Sequence, residues 1–230
     1  MQPVPISSRQ SCDTTPTASE ISTTRGVYDL TGAHFGLLPG SRSEILSAEQ
    51  ILGSGSVALL GRSATETAFK HEPLSQFRVL HLAVHGIVSP KYPERAALVL
   101  GRESHSQDDG LLQEREIADL ALNSDLVTLS ACDTAVGQLQ GEEGIASLQR
   151  AFLVAGARAT LSTLWNADDT FTAALIKQFY EKLASGMDKG SALRGAKLEL
   201  RQKFGTQATP FYWAGFVLDG DSWSPMISRQ

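Results

Sequence analysis

Val79-Leu80-His81-Leu82-Ala83-Val84-His85-Gly86 is an apolar, strand-like run that ends in an imidazole and a glycine. A second run, Leu126-Val127-Thr128-Leu129-Ser130-Ala131-Cys132-Asp133-Thr134, has the same character and ends in a thiol. Continuous apolar strands belong in a parallel sheet buried on both faces, and such a sheet carries its chemistry at the carboxyl ends of its strands. The two runs therefore predict a histidine beside a cysteine at one rim of an α/β domain. Each is followed at once by loop-type residues, Gly86-Ile87-Val88-Ser89-Pro90 and Asp133-Thr134-Ala135-Val136-Gly137.

The flanking sequence supplies the layers such a sheet needs. Leu37-Leu38-Pro39-Gly40-Ser41-Arg42 reads as a turn followed by a helix to Ile51-Leu52, and Gly53-Ser54-Gly55-Ser56 leads into a short strand at 57–60. Further strands are expected at 78–84, 96–100, 126–131, 158–164 and 213–218. Helical patterns lie between them at 114–122, at 142–155 with Ile145, Leu148 and Phe152 on one face, and at 170–184 with Phe171, Leu175, Phe179 and Leu183 four apart. A last helix runs over 188–204 and is closed by Gly205. This alternation predicts a three-layer α/β/α fold around a mostly parallel central sheet. Residues 1–25 are polar, Pro-containing and aperiodic, and are expected to be a tail or linker, with the domain over 26–230.

Composition narrows the function classes. The chain has 230 residues, 42% of them hydrophobic, which suits one core of ordinary size. A net charge of −5 without a basic stripe excludes nucleic acid as the expected partner, and no apolar run approaches the ~18 residues a membrane span needs. The first segment carries Ser, Thr and Pro where a secretory signal has an apolar centre. Only two cysteines occur, Cys12 and Cys132, so no disulfide framework is expected, and a reducing cytoplasm suits a working thiol. No metal and no cofactor are expected. His81 lies four positions before His85, roughly 13 Å along a strand at about 3.3 Å per residue, and should pack inside the sheet with its ring hydrogen-bonded. No Cys-x-x-Cys, His-Glu-x-x-His or Gly-x-Ser-x-Gly pattern occurs, and Gly53-Ser54-Gly55-Ser56 lacks the lysine of a phosphate loop.

A cysteine nucleophile needs a neighbouring base that later protonates the leaving amine, and histidine can do both. His85 and Cys132 are 47 positions apart, close to the roughly 50 that separate histidine from cysteine in caspases, in the same order. The N–H groups of Gly86 and Cys132 are candidates for an oxyanion hole. Taken singly, Cys132 reads as a buried structural thiol and His85 as a satisfied strand-end histidine. Their shared position at two strand ends favours a catalytic dyad.

The chain also resembles the CHAT domain, a caspase-like peptidase family related to separase. The resemblance rests on His81-Leu82-Ala83-Val84-His85-Gly86, Asp109-Gly110-Leu111-Leu112, Leu129-Ser130-Ala131-Cys132-Asp133-Thr134 and Gly141-Glu142-Glu143-Gly144-Ile145. It continues through Arg150-Ala151-Phe152-Leu153-Val154-Ala155-Gly156-Ala157-Arg158, Ser162-Thr163-Leu164-Trp165-Asn166-Ala167-Asp168-Asp169 and Tyr212-Trp213-Ala214-Gly215-Phe216, covering 36–220 in one order. It implies a caspase-like fold and a cysteine endopeptidase that uses His85 and Cys132 on a protein substrate in a signalling or defence pathway. Leu164 to Thr170 resembles the separase stretch that lines the pocket for a substrate arginine. Asp169 is then the first candidate for the carboxylate facing a basic P1 side chain, Asp168 the second, and Asp133 a third. Acidic residues at a helix start are equally well read as capping groups. Many members of the family carry helical repeats ahead of the peptidase and none is visible here, which places regulation on a separate partner chain. Two alternatives stay open: a non-catalytic peptide-binding module of the same fold, and a protease silent until a partner or N-terminal trimming activates it.

Overall fold

The computed structural model describes residues 38–87, 96–130, 142–165 and 168–226. In chain order the helices are α1 (Pro39–Leu52), α2 (Glu66–His71), α3 (Glu114–Ala118), α4 (Glu142–Val154), α5 (Asp169–Ala184) and α6 (Lys189–Phe204). The strands are β1 (Val79–Leu82), β2 (His85–Ile87), β3 (Ala97–Val99), β4 (Leu111–Gln113), β5 (Leu126–Leu129), β6 (Ala159–Thr163) and β7 (Phe216–Gly220). They form two sheets. The central one has the order β1-β5-β6-β7, with β1, β5 and β6 mutually parallel and β7 antiparallel at the end. The smaller one, β2-β3-β4, is antiparallel throughout.

Alternation along the strands builds the layers. Leu80, Leu82, Val127 and Leu129 face one core, shared with Phe69 of α2, Ile117 of α3 and Ile145, Leu148 and Phe152 of α4. Val79 and Leu126, with Ala159 and Leu161 of β6, face the opposite core with Ala48 of α1, Leu175 and Phe179 of α5 and Ala192 and Leu193 of α6. Helices therefore cover both faces of a mostly parallel sheet, as the sequence predicts. Asp168 and Asp188 start α5 and α6 by accepting backbone N–H groups, and Gly205, at φ 54°, ends α6. The Lys189 ammonium, wholly buried, donates to the carbonyls of Asp221 (2.9 Å) and Ser224 (3.0 Å), pinning the segment after β7 to the first turn of α6.

Four expectations need correction. β1 stops at Leu82 rather than running to 84, so His85 does not end a strand of the parallel sheet; it opens β2 opposite Val99. The reason is a change of partner: among the described residues the last contact of β1 with the β5 chain is Ser130 N–H donating to the Leu82 carbonyl (3.0 Å), beyond which Ile87 packs in a separate core with Ala97, Val99 and Leu111. Residues 57–60 form no strand among the described residues, although Leu60 is extended. The helix expected over 114–122 ends at Ala118, and the last strand starts at Phe216 because Pro210–Tyr212 is a 3-10 turn. Helix α2 and strand β4, too short to show a period, were not expected.

Candidate active site

The carboxyl ends of β1, β5 and β6 lie on one rim, and the candidate residues follow them in sequence. His85, three residues beyond β1, is 9% exposed, and Gly86 is the central residue of β2 opposite Leu98. Cys132 and Asp133 lie outside the described residues; the last described residue before them is Ser130. The β1–β5 register is informative here: Val79 pairs with Leu126 and Leu82 with Leu129, so the parallel strands match residues 47 positions apart. A cleft of about 1440 Å³ follows the outer edge of β1 beneath α1, and His85 is among the residues that line it.

After β6 the chain leads to the acidic pair. Asp168 is exposed, and its Oδ1 accepts the N–H groups of Thr170 (2.9 Å) and Phe171 (3.4 Å), so it caps α5. Asp169 is the first residue of α5, and its side chain lies outside the described part. The approach to this pair is held by Trp165. Its indole N–H donates to the Phe211 carbonyl (2.7 Å), its ring stacks on Phe211 (centroids 6.1 Å apart, 23° between planes), and the Leu164 N–H donates to the Gly215 carbonyl (2.9 Å). Leu164 and Trp165, from one stretch singled out in the sequence, thus pack against Phe211 and Gly215, at the other. Ser162 and Thr163, at the end of β6, are buried with hydroxyls that find no hydrogen-bond partner among the described residues.

His81 packs inside the sheet with its ring hydrogen-bonded, as expected. Its Nε2 lies 2.9 Å from Glu44 Oε1 and its Nδ1 3.2 Å from the Tyr180 hydroxyl. Burial raises the pKa of Tyr180, the hydrogen bond to Thr128 opposing it, so the phenol keeps its proton. Sequence reasoning missed Glu44 and Tyr180. The available signal was a carboxylate one turn from Ala48 on the inward stripe of α1, and a phenol among the apolar positions of α5.

A second charged cluster involves none of these residues. The carboxylates of Glu66, Asp108 and Glu116 come within 4.8 Å of one another, a spacing that suits a metal ion. Lys70 already occupies their centre, with its ammonium 2.5 Å from Glu66, 3.0 Å from Asp108 and 2.9 Å from Glu116. Burial works against the charge on Lys70, but the three carboxylates outweigh it and raise its pKa. Glu66 is raised, mainly by burial, against its bonds to Lys70 and the Gly110 N–H. The cluster joins α2 to the loop before β4 and to α3 and serves the fold.

Among the described residues no helix is long and apolar enough to cross a membrane. The sequence matches the CHAT domain family over residues 6–221. It is also 36% identical over 110 residues to tetratricopeptide repeat protein 28 of Mus musculus, and 34% identical over 110 residues to the Homo sapiens protein of that name. Each alignment takes in 48% of this chain and 4% of the relative, so the chain spans only a small part of those proteins.

Proposed function

Because the chain belongs to the CHAT domain family, with its caspase-like protease fold, we propose that it is a cysteine endopeptidase with His85 as base and Cys132 as nucleophile. The observation that carries this reading is the strand register. β1 and β5 match residues 47 positions apart, and 47 is also the separation of His85 and Cys132. Adjacent strands lie about 4.8 Å apart, so two chains leaving them level with one another start within reach of an imidazole–thiol pair.

In this mechanism the His85 imidazole takes the thiol proton, and the thiolate adds to the scissile carbonyl. The Gly86 and Cys132 N–H groups hold the oxyanion. Collapse breaks the C–N bond, His85 returns the proton to the departing amine, and a thioester remains. Water, deprotonated by His85, then releases the acid and regenerates the thiol. The substrate is a protein cleaved after a basic residue, arginine first, because a carboxylate binds a guanidinium through paired N–H contacts. Asp169 is the first candidate for that carboxylate. Asp168 is second, since one of its oxygens is engaged in capping, and Asp133 is third. The role belongs to a cytoplasmic signalling or defence pathway under the control of a partner chain.

The test is an arginine-bearing peptide electrophile on the chain and on Cys132→Ala. Stoichiometric labelling at position 132, together with cleavage that the variant loses at unchanged circular dichroism, supports the reading; cleavage retained by the variant refutes the dyad. Asp169→Ala should abolish the preference for arginine over lysine and aspartate at P1, and an unchanged preference assigns that residue to the helix start alone. The burial of His85 favours a second reading, in which the enzyme is silent until a partner or trimming of 1–25 opens the site. Labelling that begins only after such treatment selects it, and labelling that never begins selects a non-catalytic peptide-binding module.

A further inference from the structure

We propose that Glu44 is a positioning residue for the dyad: its buried carboxylate holds the strand that leads to His85 against the strand that leads to Cys132. The inference deepens the peptidase reading and rests on it. Glu44 projects from α1 and is 5% exposed, an environment in which a carboxylate persists only when both oxygens find partners. Both do. Oε1 meets Nε2 of His81 on β1 at 2.9 Å, and Oε2 accepts the Ser130 hydroxyl, just past β5, at 3.2 Å. One side chain from a third element therefore spans the two strands at their carboxyl ends.

The rest of the network locks the histidine that Glu44 grips. His81 Nδ1 faces the Tyr180 hydroxyl at 3.2 Å, and that hydroxyl donates to Thr128 Oγ1 of β5 at 2.8 Å. β1 and β5 are thus cross-linked twice on one face, once through α1 and once through α5. Beyond the paired residues, the main-chain bond from Ser130 N–H to the Leu82 carbonyl adds a further tie. From these anchors only three residues lead to His85 and two to Cys132. A reacting pair must be held at about 3 to 3.5 Å, and an error of about 1 Å can reduce rate ~100-fold. A clamp this few residues along the chain from both bears on that distance without touching substrate.

Glu44→Gln keeps the size of the side chain but replaces one acceptor oxygen with an amide nitrogen, so only one of the two strands can be gripped as before. Two measurements decide. The first is inactivation of the intact chain by the arginine-bearing electrophile. The maximal inactivation rate per folded molecule should fall at least ~10-fold while half-saturation by the electrophile stays within about twofold, because positioning acts on the reacting atoms and not on ground-state binding. A purely structural role would lower thermal stability and leave that rate unchanged, and this result overturns the proposal. The second is hydrogen exchange at the Ser130 amide, which should quicken in Glu44→Gln; unaltered exchange overturns the clamp even where no labelling occurs. A wild-type chain that no electrophile labels even after trimming of residues 1–25 or addition of a partner refutes the peptidase reading instead, and the exchange measurement then still decides the clamp.

Discussion

Gly215→Ala tests the packing that carries the approach to the acidic pair. A Cβ at this position would lie 2.8 Å from Cε2 of Trp165 and 3.1 Å from Cδ2 and Cζ2. Ordinary carbon–carbon contact is about 3.5 to 4.0 Å, so the indole must retreat by about 0.7 Å. It has little room to do so, because its N–H is bonded to the Phe211 carbonyl at 2.7 Å; the same movement stretches that bond to about 3.4 Å, near the limit for a hydrogen bond. Overpacking of this kind costs about 1 to 3 kcal/mol, and the weakened hydrogen bond adds about 1. Loss of glycine's freedom in the unfolded chain returns about 0.4 to 1 kcal/mol. The net expectation is a destabilisation of about 2 kcal/mol, which lowers the urea midpoint by about 1 M if the denaturant slope is roughly 2 kcal/mol/M. A double-mutant cycle isolates the cause: in a Trp165→Ala background the same substitution should be neutral or slightly stabilising. An equal cost in both backgrounds, or no cost in either, refutes the assignment of this glycine to indole packing.

Lys70→Met should destabilise the chain by about 3 kcal/mol in urea unfolding, because it strands the Glu66 carboxylate, 1% exposed, without its cation. Adding Glu66→Gln should restore most of that loss, and a Lys70→Met chain with a wild-type midpoint would rule the cluster out as a structural element. Asp221 supplies a pH dependence. The hydroxyl and N–H of Ser224 lower its pKa from 3.8 to about 2, with Lys189 and the Trp223 N–H assisting. A carboxyl depressed by folding contributes stability above its unfolded pKa and loses it as pH falls through the folded value, here between pH 3.8 and about 2. Asp221→Asn should therefore flatten the decline of the urea midpoint over that interval, and an equally steep decline contradicts the assignment.

Long periodic elements were legible in the sequence, and features that depend on a change of partner were not. Phe171, Leu175, Phe179 and Leu183 recur at helical spacing, and α5 runs from Asp169 to Ala184 with Asp168 as its cap. The same logic located α4 and α6, and the apolar runs located β1 and β5. The break after Leu82 left no mark, because Ala83-Val84 continues the apolar run without a glycine or proline, and only the pairing of His85 with Val99 reveals that the chain has changed sheets. The likeness of 162–169 and 212–216 to the family gave no hint that they touch, because the Leu164–Gly215 bond joins residues 51 positions apart. Glu44 was invisible for the same reason: a lone carboxylate on a helix gains meaning from the histidine and serine that two other elements bring to it. Of the proposed dyad, the structure describes His85; the β1–β5 register itself covers Val79–Leu82 and Leu126–Leu129, ahead of both residues.

The interior position of Lys189 also bears on covalent chemistry at the protein surface. Acylating enzymes and amine-directed reagents act on solvated, unprotonated side-chain nitrogens, and this one is enclosed and satisfied by two carbonyls. Burial also lowers its pKa, which raises the unprotonated share of the amine in the folded chain. Native packing withholds that reactivity, so a mark at position 189 dates from an opening of the C-terminal strap or from before the chain folded.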